Sequence, residues 1–434
     1  MVDAAIVKIW GETAGAVRWD EELKLAFFEY EPNFISKDWD VSPLKMPVSN
    51  GSRIYSFPEL RKGKDVSVNT FKGLPGLLSD SLPDKYGNQL INVWLAQQGR
   101  NENSMNPVEQ LCFIGTRGMG ALEFEPSVFK VDKRASTLEI NNLVDIAQRM
   151  LNQRESFQTN LQKDDAKAVA EMLKIGTSAG GARPKALIAF NPQSGVVKSG
   201  QGMVPNGFEH WLIKLDGVSV AQFGESSGWG NVEYAYYLMA KACGVVMTDC
   251  KLLEENGRAH FMTRRFDREG NTKHHIQTFC AIQHFNYNEM FAYSYEQLFQ
   301  TMRLLRLTYP EAEQMFRRMV FNVLATNCDD HTKNFSFRLK KNEKWQLSPA
   351  YDICFAYDPT NIGVNQQTLS INGKRSDISK EDFMTIAKAN NIKKGEEIIE
   401  EINKIVCKWV DFANAGKVDE KHFNHIQYNL HTLK

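Results

Sequence analysis

The chain lacks three features that would point to particular partners or compartments: a net charge, a long apolar run and a paired-cysteine motif. Its 434 residues carry 52 Lys and Arg against 52 Asp and Glu, so no overall field draws it to nucleic acid or to an anionic membrane. It has no run of about 18 apolar residues, so we expect no membrane-spanning helix. The segment Met1–Trp10 lacks a basic stretch followed by an apolar one, so we expect no secretory signal.

The cysteines are few and scattered. There are seven, none of them in a C-x-x-C pair. An odd, dispersed set in a long chain is typical of reduced core thiols and predicts a cytoplasmic protein. Hydrophobic content of 42% and charged content of 24% are those of an ordinary folded chain. At roughly 150 residues a domain, the length predicts two or three domains.

Three segments of different character follow one another. Residues 1–135 are rich in strand-length apolar runs and turns, residues 136–268 mix helix and strand patterns, and residues 269–434 are mostly helical. A long helix is predicted from Tyr309 to Thr326. A late amphipathic helix is predicted from its apolar residues, which are Ile398, Ile399, Ile402, Ile405, Val406 and Trp409. The pattern predicts an α+β protein.

The stretch from Asn327 to Phe335 carries the strongest chemical signal. Asp329 precedes Asn334 by five positions, and Asp352 follows in the segment Tyr351-Asp352-Ile353. Protein kinases use such a set: an Asp accepts the proton of the attacking hydroxyl, and an Asn and a second Asp hold magnesium. No Arg precedes the first Asp and no Phe-Gly follows the second. Taken alone, the cluster is more typical of a solvated turn.

Two upstream signals fit the same chemistry. The small residues of Gly176–Pro184 precede a predicted strand, Lys185–Phe190, as in a kinase-style phosphate cover. A surface turn explains that loop equally well. Lys214 ends the apolar run His210–Leu215, where a kinase places the lysine that contacts the α- and β-phosphates; an exposed edge lysine is the alternative.

Several weaker assignments complete the set. Glu233 is the first candidate partner for Lys214, with Glu225 left open. The turn around Phe266 and Asp267 can offer backbone groups to adenine and a carboxylate to ribose, or can be an ordinary exposed turn. The loop Gly115–Gly120 resembles a phosphate loop, but a strand rather than a helix follows it, which favours a structural turn.

The order of these signals favours a two-lobed kinase. Glycine loop, strand lysine, connector, Asp–Asn pair and metal Asp follow one another as they do in kinases. The neighbours Cys328, Asp329 and His331 suggest a metal cluster, but no second ligand pair with zinc-like spacing exists. A small-molecule phosphotransferase with similar lobes stays open as a weaker alternative.

At this point the sequence resembles the HipA family of serine/threonine kinases along nearly its whole length. The resemblance is carried by these segments: Phe71–Asp84, Ser178–Lys185, His275–Ala281, Asp329–Phe335 and Pro349–Ile353. It implies a bilobal kinase fold with a β-rich N-terminal subdomain, a mixed small lobe and a mostly helical C-terminal lobe. The catalytic and phosphate-loop motifs together are specific to this family.

The resemblance also implies roles for single residues. Asp329 is expected to be the catalytic base, Asn334 and Asp352 to hold Mg²⁺, and Ser178 to be a site of regulatory autophosphorylation. ATP contacts are expected from Ala179, Gly180, Gly181, Ala182, Arg183, Pro184, Lys185, Lys214, Arg264, Arg265, Phe266, Asp267, His331, Lys333, Asn334, Tyr351 and Asp352.

For the cell, the resemblance implies the growth-arresting toxin of a type II toxin–antitoxin module. Its partner would be a HipB-like helix-turn-helix antitoxin that makes most of the DNA contact. Its protein substrate would be a translation component, in characterised members an aminoacyl-tRNA synthetase. The alternative is an inactive kinase-like subunit that serves in transcriptional autoregulation with the antitoxin. The presence of Lys214, Asp329, Asn334 and Asp352 favours the active enzyme.

Overall fold

The structure is a computed structural model that describes residues 2–50, 54–61, 70–129, 184–218 and 228–433, with a few residues between 138 and 176. The sequence-predicted phosphate-loop residues Ser178–Arg183 lie outside the described residues, as does Glu225. Among the helices that are described, none combines the length and the apolar character needed to cross a membrane.

The first part of the chain forms an antiparallel five-stranded sheet of order β4-β3-β2-β1-β5. In β1 the residues Ala5, Val7 and Ile9 are buried while Ala4 and Ile6 are exposed, so the period-2 alternation turns one face to a core. The strands are β1 (Ala4–Ile9), β2 (Glu12–Asp20), β3 (Leu25–Tyr30), β4 (Ile54–Tyr55) and β5 (Leu122–Glu125), and helix α1 (Pro32–Ile35) follows β3.

Three helices interrupt this sheet between β4 and β5. They are α2 (Gly76–Ser79), α3 (Lys85–Gln97) and α4 (Pro107–Ile114). Asp84 caps α3 by accepting from the Gly87 N–H at 2.6 Å, and Asn106 caps α4 in the same way. Leu90 of α3 and Phe113 of α4 share a core with residues of the second sheet, including Trp211. The N-terminal part therefore supplies helices that cover the small lobe.

The second sheet is also antiparallel, with order β7-β6-β8-β10-β9. Its strands are β6 (Lys185–Phe190), β7 (Val197–Ser199), β8 (Glu209–Lys214), β9 (Cys250–Glu255) and β10 (Arg258–Arg264). Helix α5 (Trp229–Ala242) lies between β8 and β9 in sequence and packs against β9 and β10. The predictions of strands at 185–190 and 210–215 are confirmed to within one residue.

The last part is mostly helical around a small sheet. After the short pair β11 (Arg268–Glu269) and β12 (Thr272–Lys273), the sheet order is β13-β14-β15, from β13 (His275–Thr278), β14 (Ser336–Leu339) and β15 (Trp345–Leu347). The helices are α6 (Phe279–Gln283), α7 (Tyr295–Leu304), α8 (Tyr309–Leu324), α9 (Lys380–Ala389), α10 (Gly395–Val406), α11 (Trp409–Ala415) and α12 (Glu420–Asn429). The element pattern matches the predicted α+β class.

The prediction of one late helix carrying Trp409 is wrong. Helix α10 ends at Val406, and Trp409 begins the separate helix α11. The N–H groups of Cys407 and Lys408 still donate to the carbonyls of Asn403 and Ile405, which closes the helix at this point. Trp409 is nevertheless fully buried. Its apolar side chain therefore correctly indicated a core residue, but not one that belongs to the preceding helix.

The contact between α2 and α6 yields a test of how tightly the N-terminal part is docked. A Cβ on Gly76 would overlap the carbonyl oxygen of Ala281. We expect Gly76→Ala to lower the free energy of unfolding by about 2–3 kcal/mol, because the backbones must separate. Gly118→Ala is the control, since its Cβ meets only Ile114 Cγ2 at 3.4 Å, and it should stay within about 1 kcal/mol of wild type. Equal stability of the two variants in urea would contradict the packing.

Candidate active site

The catalytic-loop segment leaves the end of α8 and is held by its own backbone. Cys328 donates its N–H to the Ala356 carbonyl at 2.9 Å, and Ala356 donates to Thr326 at 3.1 Å. A single 3₁₀ turn at Thr332–Asn334 follows. The Asn334 side-chain N–H₂ donates to the Asp329 carbonyl at 2.7 Å, which leaves the amide oxygen as its acceptor group. The five-residue spacing thus brings Asn334 back beside Asp329.

Asp329 itself faces the cleft. Its side chain is 51% exposed, and one carboxylate oxygen lies 3.6 Å from Nε2 of His331. His331 also accepts the Lys333 N–H at Nδ1, 3.2 Å away, which orients its ring. An exposed carboxylate beside an oriented imidazole is a geometry from which Asp329 can accept a proton.

Lys214 joins both lobes through two carboxylates. Its ammonium lies 2.6 Å from Oε1 of Glu233 on α5 and forms a second ion pair with Asp352. The predicted pairing with Glu233 is therefore confirmed. Burial opposes both charges, but the two carboxylates raise the pKa of Lys214 above its ordinary value, and Lys214 lowers the pKa of Asp352 to about 2. Asp352 is ionised throughout the neutral range.

The backbone before Asp352 is fastened to the small lobe. The Ala350 N–H donates to the Val246 carbonyl at 2.8 Å, and a parallel bridge pairs Ala350 with Met247. Asp352 has a φ of +54°, a conformation that costs a residue other than glycine about 1–3 kcal/mol. In this conformation the Asp352 carboxylate forms its ion pair with Lys214.

Most of the predicted site residues line one cleft between the lobes. Those that do so are Pro184, Lys185, Lys214, Arg264, Arg265, Phe266, Asp329, His331, Lys333, Asn334, Tyr351 and Asp352. Within the described ranges, no three His, Cys, Asp or Glu side chains cluster as a preformed metal site. The carboxylate of Asp352 and the amide oxygen of Asn334 are the hard oxygen donors that Mg²⁺ takes, and both face this cleft.

Asp267 does not face this cleft, in contrast to the expectation that it offers a carboxylate to ribose. It is completely buried and accepts from Arg265 at 2.7 Å, Arg268 at 2.6 Å and the Gly120 N–H at 2.8 Å. Burial opposes its charge, but the two arginines hold its pKa well below the usual range. Its role here is structural: it fastens the connector to the loop Gly115–Gly120.

The remaining connector residues keep part of their predicted geometry. The Arg264 N–H donates to the Asp249 carbonyl and the Arg265 N–H donates to the His210 carbonyl, each at 2.9 Å. The Phe266 ring stacks on Tyr351, with centroids 5.6 Å apart and planes inclined by 29°. The N–H groups of Arg264 and Arg265 are thus engaged within the protein, and the Phe266 ring packs against Tyr351.

Sequence reasoning missed the carboxylates of the N-terminal segment. Asp84 lies 3.0 Å from Nζ of Lys185, which is only 2% exposed, and Asp80 accepts from the Thr278 N–H and hydroxyl at 2.7 and 2.9 Å. Both carboxylates also attract Lys333. The segment Phe71–Asp84 was recognised as a motif, but its proximity to the catalytic loop depends on tertiary packing that no local pattern signals.

The structural role of Asp330, the neighbour of Asp329, was also missed. It is 1% exposed, and its Oδ1 accepts the N–H groups of Thr368 at 2.6 Å and Leu369 at 3.3 Å. The Thr368 hydroxyl donates in turn to the Cys328 carbonyl at 2.9 Å. Burial raises the pKa of Asp330 to about 7. The carboxyl group thus ties the catalytic loop to the segment at Thr368.

Comparison with known proteins agrees with this geometry. The HipA-like C-terminal domain model matches residues 177–410, and the HipA N-terminal domain model matches residues 5–125. The fold and cleft define a kinase-like protein of two lobes with an N-terminal subdomain. The chain belongs to the HipA family.

Similarity to a solved structure gives the fold independently. The chain is similar to HipA in the complex of Shewanella oneidensis MR-1 HipA and HipB with operator DNA, with a TM-score of 0.69 and 14% identity over 98% of this chain and 95% of that one. The Helicobacter pylori proinflammatory kinase CtkA matches 52% of this chain and 86% of its own at 15% identity, with a TM-score of 0.36. No curated protein matches.

The contacts of Asp330 predict a difference between two substitutions. Asp330→Ala leaves two buried N–H groups without their acceptor and should be less stable than Asp330→Asn by about 2 kcal/mol, because Asn retains an oxygen there. Chemical denaturation of the two variants measures this difference in the free energy of unfolding. An alanine variant as stable as the asparagine variant would show that the two hydrogen bonds contribute nothing.

The raised pKa of Asp330 predicts a pH dependence of stability. The folded protein binds a proton at this site up to a pH of about 7, whereas the unfolded chain releases it near the ordinary value of about 4. Wild type should therefore lose stability relative to Asp330→Asn as the pH rises from about 4 to about 7. Urea titrations of both proteins across this range measure the difference, and a constant difference would contradict the assignment.

Proposed function

We propose that the chain is an ATP-dependent serine/threonine protein kinase that acts as the growth-arresting toxin of a type II toxin–antitoxin module. One observation carries the proposal: Asp329, Asn334, Asp352 and the Lys214–Glu233 pair converge on one cleft. An inactive relative would be free to lose any of these side chains, and all are present.

The chemistry assigned to the chain is positioning and proton transfer. Mg-ATP supplies the γ-phosphoryl group and a cation that offsets its charge. Lys214, freed from Asp352, would pair with the phosphates while Glu233 retains it, and Asp352 with Asn334 would hold the cation. Asp329 would accept the proton of the Ser or Thr hydroxyl as that oxygen bonds to phosphorus and ADP departs.

The partners follow from the family. We propose a HipB-like helix-turn-helix antitoxin, because the similar Shewanella protein was solved with HipB and operator DNA. The balanced charge of this chain agrees with DNA contact made mainly through that antitoxin. A protein substrate of the translation apparatus, such as an aminoacyl-tRNA synthetase, and a cytoplasmic site of action belong to the same proposal.

The first test replaces the proposed base. Asp329→Asn keeps the side-chain shape but cannot take the proton, so phosphate transfer should fall by at least about 10²-fold while Mg-ATP still binds. Labelled ATP measures transfer and calorimetry measures binding. Cells that express the chain without its partner should arrest, and this variant should relieve the arrest. Arrest that persists in Asp329→Asn would point to a mechanism other than phosphorylation.

The second test concerns Ser178. We expect label from ATP to map to the peptide that contains Ser178, and to disappear in both Ser178→Ala and Asp329→Asn. A phosphate adds a charge of about −1.5 to −2 to a loop proposed to hold another anion, so the modified chain should bind ATP more weakly. Label on Ser178 that survives in Asp329→Asn would mean that a contaminating kinase placed it.

A further inference from the structure

Lys72 is a cleft-lining lysine in an unfavourable setting. Its φ of +49° lies in the left-handed region, which is energetically unfavourable for residues other than glycine. Its ammonium donates to the side-chain oxygen of Gln110 on α4 at 3.2 Å. That partner is a neutral amide, and in the part of the chain that the structure describes Lys72 forms no ion pair with a carboxylate. Lys72 is half-buried, and a cation that is partly withdrawn from water is normally paired.

A second cation lies close to the first. Lys333 of the catalytic loop acts on Lys72 as a like charge, so that burial and then Lys333 lower the pKa of Lys72 to about 8. Lys333 is itself supported, with its ammonium 4.4 Å from the centroid of the Tyr287 ring and attracted by Asp80 and Asp84. Among the residues that the structure describes, Lys72 has no carboxylate or aromatic ring in that role. Lys72 therefore places beside the catalytic loop a positive charge that no ion pair among the described residues offsets.

A purely structural role accounts poorly for these facts. A neutral side chain of similar length would avoid both the loss of hydration and the repulsion from Lys333. A strained, poorly paired lysine that faces an active-site cleft is instead what an anion-binding position requires, because an incoming anion supplies the missing partner.

We propose that Lys72, with Lys333 beside it, binds an anionic group of the protein substrate, a carboxylate or a phosphate in the segment that carries the acceptor hydroxyl. The identity of the ligand rests on the proposed kinase function, whereas the anion site does not. The substrate class is thus an acidic or already phosphorylated segment near the target Ser or Thr.

The site is tested first without any kinase reaction, with inorganic sulfate as the probe. Sulfate titrated calorimetrically into the full chain at pH 7 should bind, and Lys72→Met should weaken binding at least about tenfold. Lys24→Met is the matched control, because Lys24 is an exposed lysine that lines the same cleft and is paired with Glu21. Lys214→Met tests whether sulfate occupies the proposed nucleotide site instead.

The outcomes separate the alternatives. Unchanged sulfate affinity in Lys72→Met overturns the proposal, as does binding that only Lys214→Met removes. Thermal melting provides the second readout: removal of a poorly paired, half-buried charge should raise the melting temperature, whereas loss of a structural lysine would lower it. Lys72→Gln takes the place of the methionine variant if that variant fails to fold.

The substrate class is tested with paired serine peptides that differ only in Glu, phosphoserine or Gln at positions flanking the serine. Wild type should prefer the acidic peptides by about tenfold in kcat/KM, and Lys72→Met should lose most of that preference. No preference in wild type overturns the substrate assignment. If no peptide is phosphorylated under any condition, the kinase proposal fails, while the sulfate result still judges the anion site.

Discussion

The half-buried ammonium of Lys214 is the constraint around which the two lobes are arranged. It lies on the central strand β8, and its carboxylate partners come from α5 and from the segment after β15. Removing either carboxylate would leave a half-buried charge with one partner instead of two, which is destabilising. The small lobe, its helix and the large lobe are therefore linked by one interaction, and it lies in the cleft.

Much of the fold could be predicted from local patterns. Strands β6 and β8 were predicted from short apolar runs in the sequence. The start of α8 was predicted from Pro310 and the acidic residues of its first turn. Asp329 and Asn334 are five residues apart and are joined by a single short turn, so the sequence alone predicts that they lie close together. Trp409 was wrongly assigned to the helix that ends at Val406, because its apolar side chain matched the spacing of that helix's buried residues.

What could not be predicted depends on contacts distant in sequence. Asp267 was expected to face a ligand, but its environment is set by Arg268 and by Gly120, which lies 147 residues away in sequence. Asp80 and Asp84 were likewise not predicted as site residues. Only the packing of the N-terminal segment against Thr278 and Lys185 brings them close to the catalytic loop. The N-terminal subdomain is thus part of the cleft wall, not an appendage.

The central claim is that Lys214, Glu233 and Asp352 form a magnesium-dependent nucleotide site, and calorimetric titration of ATP with and without Mg²⁺ tests it most directly. The account predicts binding that requires Mg²⁺ and that weakens at least about tenfold in Asp352→Asn and in Glu233→Gln. ATP affinity that is the same in EDTA, or that neither substitution changes, would contradict it.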